Sequence, residues 1–300
     1  MNSGKEALRA DTIAVVPTET VGTTAPPTPN VATVMATEFV AGRSRRGRIP
    51  AIVISTFSVL FLMVVWVVVS TSGWLPQGYL PTPQEMGSEI HTLFTVGYKG
   101  VSIWQHIGIS LFRTLTGFAL GIAVGIPLGL VTGYSRVGSA MVSPIMAFIR
   151  PIPPIAFIPM VVLYFGLGEV GKVVLIFWTA FNYVHVNAHA GAAGVPIAYQ
   201  RAAQSIGLTP TQTFFRVVLP SAIPQIFTGL KVAMALSWAV VVAAELTGAQ
   251  SGLGYMISDA ALTFRIPAVF IGIALIGLIG LMLNVVLNVM ETWLVHWRGR

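Results

Sequence analysis

Residues 49–70 run the length of a membrane crossing without a single charged side chain. At about 1.5 Å of rise per residue, such a helix spans a hydrocarbon core of about 30 Å. Five further stretches, nearly as free of charge, follow at 111–131, 140–165, 173–190, 223–246 and 268–290. Lipid offers backbone groups no hydrogen bonds, so a chain made of such stretches has to pair them internally, as helices do. The expected fold class is all-α and integral to the membrane, with about six transmembrane helices. Composition agrees, because only 9% of the 300 residues are charged. A soluble domain carries about 25%, and so few charges could not cover a water-exposed surface.

Residues 1–48 are a different material, rich in Thr, Ala, Val and Pro with no sustained apolar periodicity. They read as a disordered tail. No short apolar core follows a basic start, so 49–70 is expected to remain as an anchor, with its outer loop reaching 105. The remaining core is 106–297, interrupted by a polar loop at 191–221. Lys5, Arg9, Arg43, Arg45, Arg46, Arg48, Arg136, Arg201, Arg216, Arg298 and Arg300 fall on one side of this alternation. Only Lys99, Lys172 and Arg265 fall on the other. Positive charge is retained inside, so both termini and the 191–221 loop are expected in the cytoplasm of a multi-pass inner-membrane protein.

Within the spans two patterns stand out. Gly117, Gly121, Gly125, Gly129 and Gly133 leave one helix face as bare backbone, the form of a close-packing seam in lipid. Pro144, Pro151, Pro153, Pro154 and Pro159 crowd the third span, and each removes a helical donor. Irregular backbone at membrane depth belongs where it lines a cavity, so 150–159 is a candidate pathway wall. Ionisable groups in the spans are few: Arg113, Arg150, Lys231 and Glu245. Arg113 and Lys231 lie near span ends, where snorkelling is the plain reading. Arg150, Pro153, Pro154, Lys231 and Glu245 form the candidate translocation path, with a gate-stabilising salt bridge as the other reading of Glu245.

Several function classes fall away. With no cysteine, thiolate metal sites and disulfides are excluded. The net charge of +7 is scattered over loops, which does not suit nucleic acid. Residues 166–173 have P-loop spacing, but Val173 stands where Ser or Thr should hold magnesium. His185 and His189 are four apart with no acid or third histidine nearby in sequence, so hydrogen-bonding roles suit them better than a metal. A secondary transporter would show repeated halves and several buried carboxylates, a channel a filter ring, and an enzyme a constellation of acid, base or metal ligands.

The loop carries the most specific pattern: Arg201, Ala202, Ala203, then Gly207, Val217, Leu219 and Pro220. It resembles the EAA loop of permease subunits of ATP-binding-cassette importers, with every spacing kept, Arg201 in place of the glutamate and Val217 in place of isoleucine. Ala202 and Ala203 favour a short helix, Gly207 ends it, and Pro220 is expected to start the next element. Residues 110–117 (SLFRTLTG), 150–159 (RPIPPIAFIP), 164–172 (YFGLGEVGK) and 252–255 (GLGY) are similar to the branch importing nitrate, taurine and alkanesulfonates. The resemblance implies a type I importer permease core, with those seven loop residues contacting the ATPase. It also implies a homodimer, two ATPase subunits that carry the ATP and magnesium, an external binding protein, and no cofactor on this chain. The cargo it implies is a small oxyanion, with a thiamine-precursor-like heterocycle as the alternative.

Overall fold

The computed structural model describes residues 51–295 except Leu75 and Gln77. The 1–48 tail and the terminal Arg298 and Arg300 lie outside the described residues. Every regular element among the described residues is helical. The chain divides into two units, 1–62 and 63–300. The described part of the first is the beginning of α1 (Ala51–Thr71), the expected anchor.

The second unit contains α2 (Pro83–Thr95), α3 (Ile103–Tyr134), α4 (Arg136–Ile149), α5 (Ile158–Phe165) and α6 (Glu169–Ala193). After these come α7 (Ile197–Ser205), α8 (Pro210–Thr213), α9 (Leu219–Leu246), α10 (Leu253–Leu262) and α11 (Ile266–Leu294). Among the described residues, four segments are long and apolar enough to cross a membrane: Val53–Thr71, Ile103–Tyr134, Pro210–Leu246 and Ile266–Leu294. A fifth is counted if Arg136–Ile149 and Pro154–Phe165, which meet at 82°, are one bent span. The expected span 173–190 lies in α6, whose 25 residues also suffice by length. Asn182, His185, Asn187 and His189 make it less apolar than the others. That polarity is tolerable because α6 packs along its length between α3 and α9 and so faces protein instead of lipid.

The prolines break the third span as their missing donors require. Helix α4 ends at Ile149, a 3₁₀ turn occupies Pro154–Phe157 with Pro153 before it, and α5 carries Pro159 in its first turn.

The glycine stripe is the α3–α6 seam. A Cβ on Gly117 would stand 2.7 Å from Ile176 Cβ, and one on Gly121 2.5 Å from Ala180 Cβ. Any side chain there would force the helices apart. Gly125 meets Val184 and Gly133 meets Ala192, so contacts advance together and the two helices run parallel. Helix α9 runs against them, since Gly191 meets Ala222 while Gly229 meets Asn187. Two ends are thereby fixed. One gathers the C-termini of α3 and α6 and the start of α9, joined by the 191–221 loop. The other gathers the N-termini of α3 and α6, the end of α9, and α10.

Candidate functional site: the coupling loop, a buried ion network and the Arg150 recess

The 191–221 loop is built. Helix α7 closes with a Schellman motif, in which Leu208 N donates to Ala203 O at 3.1 Å and Gly207 N to Gln204 O at 2.9 Å. Gly207 sits at φ +85°, a region glycine enters without a Cβ penalty. Thr209 then caps α8, accepting from Gln212 N while its own N–H donates to Gln212 Oε1 at 3.0 Å. Arg201, Ala202 and Gly207 are exposed, whereas Ala203 is only 4% exposed and packs inward. Val217, Leu219 and Pro220 are half-buried. Pro220 stands in the first turn of α9, as expected. A π turn, Phe214–Val218, joins α8 to α9, and Pro210–Leu246 forms a single span. The π turn accommodates the donor that Pro220 lacks. Tyr134 Oη donates to Pro210 O at 3.3 Å, tying the end of α3 to this loop.

The in-span ionisable residues do not share one path. Arg113 does not snorkel: its side chain is 1% exposed and lies between two carboxylates. It holds Glu169 bidentately, Nε and Nη2 each at 2.6 Å, and donates through Nη1 to Glu245 Oε1 at 2.7 Å. Glu245 also accepts from Ser110 Oγ at 2.8 Å and from Gly254 N at 2.8 Å. Ser110 Oγ in turn accepts from Leu253 N at 2.9 Å. A Cβ on Gly252 would collide with the Glu245 carboxylate, which is why a glycine stands there. Glu245 is therefore fully packed in a charge network at the end opposite the loop, the salt-bridge reading rather than a place beside Arg150.

Three of the quoted motifs meet here: 110–117 supplies Ser110 and Arg113, 164–172 supplies Glu169, and 252–255 supplies the donors and the space. The P-loop-like spacing has a plain use as well. Lys172 Nζ donates to Leu167 O at 2.9 Å and to Glu169 Oε1 at 3.3 Å, so its ammonium is already committed.

Lys231 pairs with Glu291, which belongs to α11 although the expected span stopped at 290. Lys231 borders a groove of ≈ 650 Å³ between α9 and α11, where Asn284 and Asn288 are also found. Among the described residues, Arg150 is thus the in-span cation without a carboxylate partner. It is exposed at the end of α4 and borders two recesses against α6. One, of ≈ 170 Å³, includes His185 and His189; the other, of only ≈ 20 Å³, includes Pro154, Asn182 and Asn187. Pro153 is exposed beside them.

The two histidines share Thr132 Oγ1, His185 Nε2 at 3.3 Å and His189 Nδ1 at 3.1 Å. They hydrogen-bond, as expected, and no group of three possible metal ligands exists among the described residues. The ion network was missed in the sequence although its signal was present. Residues 113, 169 and 245 lie at the start of α3, the start of α6 and the end of α9, which chain direction alone brings to one end.

Residues 125–299 match the family described as binding-protein-dependent transport system inner membrane component. The chain is similar to the taurine transport system permease protein TauC of Escherichia coli, 34% identical over 249 residues, covering 83% of this chain and 90% of that protein. It is similar to the putative aliphatic sulfonates transport permease protein SsuC of Bacillus subtilis, at 30% over 258 residues, covering 86% and 91%. The bicarbonate transport system permease protein CmpB of Synechococcus elongatus is 29% identical, covering 84% and 92%. An inward-facing structure of the MetNI methionine ABC transporter shares the fold, with a TM-score of 0.57 at 18% identity over 64% of this chain and 97% of that one.

Proposed function

Since the chain belongs to the binding-protein-dependent transport system inner membrane components, we propose that it forms the translocation path for a small oxyanion. The cargo we infer is a sulfonate, taurine or nitrate. The family is a membrane transport subunit and not an enzyme. As an inner-membrane ABC importer permease, the chain works with ATPase and substrate-binding partners. Beyond this, the reading is of a homodimer with two ATPase subunits that carry the ATP and magnesium, and with both termini cytoplasmic. The exposed face of the α7 turn, Arg201, Ala202 and Gly207, is read as the ATPase contact, with the small Ala202 and Gly207 suiting a groove.

Arg150 carries the oxyanion reading. Arg113 and Lys231 are neutralised by carboxylates, which leaves this guanidinium facing two recesses with no acid among their lining residues. Planar guanidinium donors match oxyanion geometry, and a cation would find no countercharge there. The relatives named for taurine, sulfonates and bicarbonate support the same class. The test is uptake into vesicles reconstituted with the complete complex. Arg150→Gln is expected to reduce oxyanion import at least tenfold while the complex still assembles. Unchanged import, with ATPase stimulation by a cationic heterocycle and none by sulfonates, would transfer the assignment to the thiamine-precursor class.

A further inference from the structure

Helices α7 and α10 end in the same hydrogen-bond pattern but place different residues at its left-handed position. In α10, Arg265 N donates to Ala260 O at 2.8 Å and Phe264 N to Ala261 O at 3.2 Å, the Schellman arrangement that Gly207 completes in α7. The left-handed residue of α10 is Phe264, at φ +56°. A side chain there carries a steric cost that glycine does not. Packing within the chain does not offset it, because Phe264 is 86% exposed and Leu262 beside it 78%.

The turn is nonetheless held firmly. The Arg265 guanidinium lies 5.2 Å from the centre of the Tyr98 ring and donates to Glu89 Oε1 at 2.5 Å. Tyr98 Oη donates to Asp259 Oδ2 at 2.7 Å, and Lys99 Nζ to Asp259 Oδ1 at 2.9 Å. Lys99, at φ +49°, is the other non-glycine residue with positive φ among the described residues. Both strained residues thus belong to one patch, on two segments tied together by these bonds. Such strain concentrates where a surface is shaped in advance for a ligand or partner.

The patch lies at the end opposite the 191–221 loop. Helix α11 begins there at Ile266 and has 29 residues, a length of about 44 Å against a hydrocarbon core of about 30 Å. Glu89, Lys99, Asp259 and Arg265 surround the turn, and four charged side chains belong in water, not among acyl chains. Two large apolar side chains ringed by charges that already pair with one another have the form of an interface core with a polar rim. From this turn α10 runs back to Gly254, whose N–H holds the Glu245 carboxylate at 2.8 Å, so a partner seated here is one short helix away from the ion network.

We infer that the Leu262–Phe264 turn is an anchor for the substrate-binding protein. Its two apolar side chains enter an apolar pocket on that partner, and the paired charges form the rim. This rests on the importer reading of the chain, which puts the binding protein at this end, and adds the surface that holds it.

The complete complex in lipid nanodiscs is assayed with the substrate-binding protein that stimulates its ATP hydrolysis. Phe264→Gly removes the ring and gives the left-handed position the residue it favours, so the melting temperature is expected to stay level or rise by up to about 4 °C. The binding-protein concentration for half-maximal stimulation is expected to rise about tenfold, the scale of an aromatic interface anchor. Leu262→Ser should act in the same direction. A photoreactive p-benzoylphenylalanine at position 264 should cross-link to the binding protein, whereas one at Val285, exposed on the span of α11, should not. An unchanged half-maximal concentration, a lower melting temperature for Phe264→Gly, or cross-linking from 264 to lipid or a second copy alone would overturn the anchor. Those results leave the oxyanion reading standing so long as Arg150→Gln slows import. If no substrate-binding protein stimulates the complex, the importer reading itself fails and the anchor with it.

Discussion

Replacing Glu245 by Gln preserves side-chain shape and removes one charge and one acceptor. The residue is 1% exposed, and everything around its carboxylate donates: Arg113 Nη1 at 2.7 Å, Gly254 N at 2.8 Å, and Ser110 Oγ within 2.9 Å of both oxygens. Whichever oxygen becomes NH₂ confronts a buried donor, and the substitution has no orientation that avoids this. Breaking a buried ion pair costs about 3–5 kcal/mol. Arg113 keeps Glu169, so the lower figure, about 3 kcal/mol, applies. Glu169→Gln is the control, because its side chain is 61% exposed and solvent reduces its share to about 1 kcal/mol or less. At about 2–4 °C per kcal/mol for a chain of this size, the expected falls in melting temperature are roughly 6–12 °C and at most about 4 °C. The assay is the monodisperse fraction of detergent-solubilised protein after heating, with substrate KM measured beside it. A Glu245→Gln protein that melts no lower than Glu169→Gln would refute the network argument. Unchanged melting with a raised KM would return Glu245 to the translocation path.

Ala202→Trp should abolish ATPase co-purification while membrane insertion persists, whereas Ala203→Trp should lower melting temperature first, because that methyl is already buried; equal behaviour in a pull-down and a melt would contradict the division. Gly121→Leu, placing its Cβ 2.5 Å from that of Ala180, should cost at least about 1–3 kcal/mol of overpacking, and an unchanged melt would show the seam to be looser than drawn. Topology is tested with single cysteines, introduced cleanly because the chain has none: a cysteine at Val96, 72% exposed, should react with an impermeant reagent in intact cells and one at Gln212 should not. Asp259 is held below its ordinary pKa of 3.8 by the Lys99 ammonium, then by the Tyr98 hydroxyl. Its contribution is therefore present above pH 3.8 and lost as pH falls through the lower folded value; Asp259→Asn should remove that acid-dependent part of the melting curve.

Sequence periodicity made the membrane class, the glycine seam and the proline break legible because each follows from chemistry local to one segment. Four consecutive helical turns of glycine have a single geometric use in lipid, and Pro151, Pro153 and Pro154 leave Ile152 as the one backbone donor in that run. What sequence could not resolve was pairing across segments. Arg113 and Lys231 read as snorkelling cations because Glu169 seemed to lie in a loop and Glu291 just past a span. A helix end at Leu294 instead of Met290 decided whether Lys231 had a partner, because Glu291 lies one residue past the expected end. The span 173–190 was correctly long, yet its polarity had no evident purpose until packing placed α6 between two other helices.

The spacing inside the motifs follows from this pairing. Ser110 and Arg113 are three apart, which puts both on one face of α3, and that face meets Glu245. Gly252 and Gly254 are two apart because the turn into α10 passes over the same carboxylate: Gly254 supplies the N–H, and Gly252 vacates the volume the carboxylate fills. A side chain at either position has to displace a buried charge, so each glycine is as much a part of the ion network as the arginine. The network and the histidine pair use the same two helices at opposite ends of one seam, with Arg113 on α3 and Glu169 on α6 at one end, and Thr132 on α3 with His185 and His189 on α6 at the other. Because a Cβ on Gly129 would stand 2.6 Å from His185 O and one on Gly133 2.9 Å from Ala192 Cβ, only the bare glycine face brings Thr132 within reach of both rings. The glycine stripe therefore places the Thr132–His185–His189 cluster beside the Arg150 recess without contributing a side chain to it.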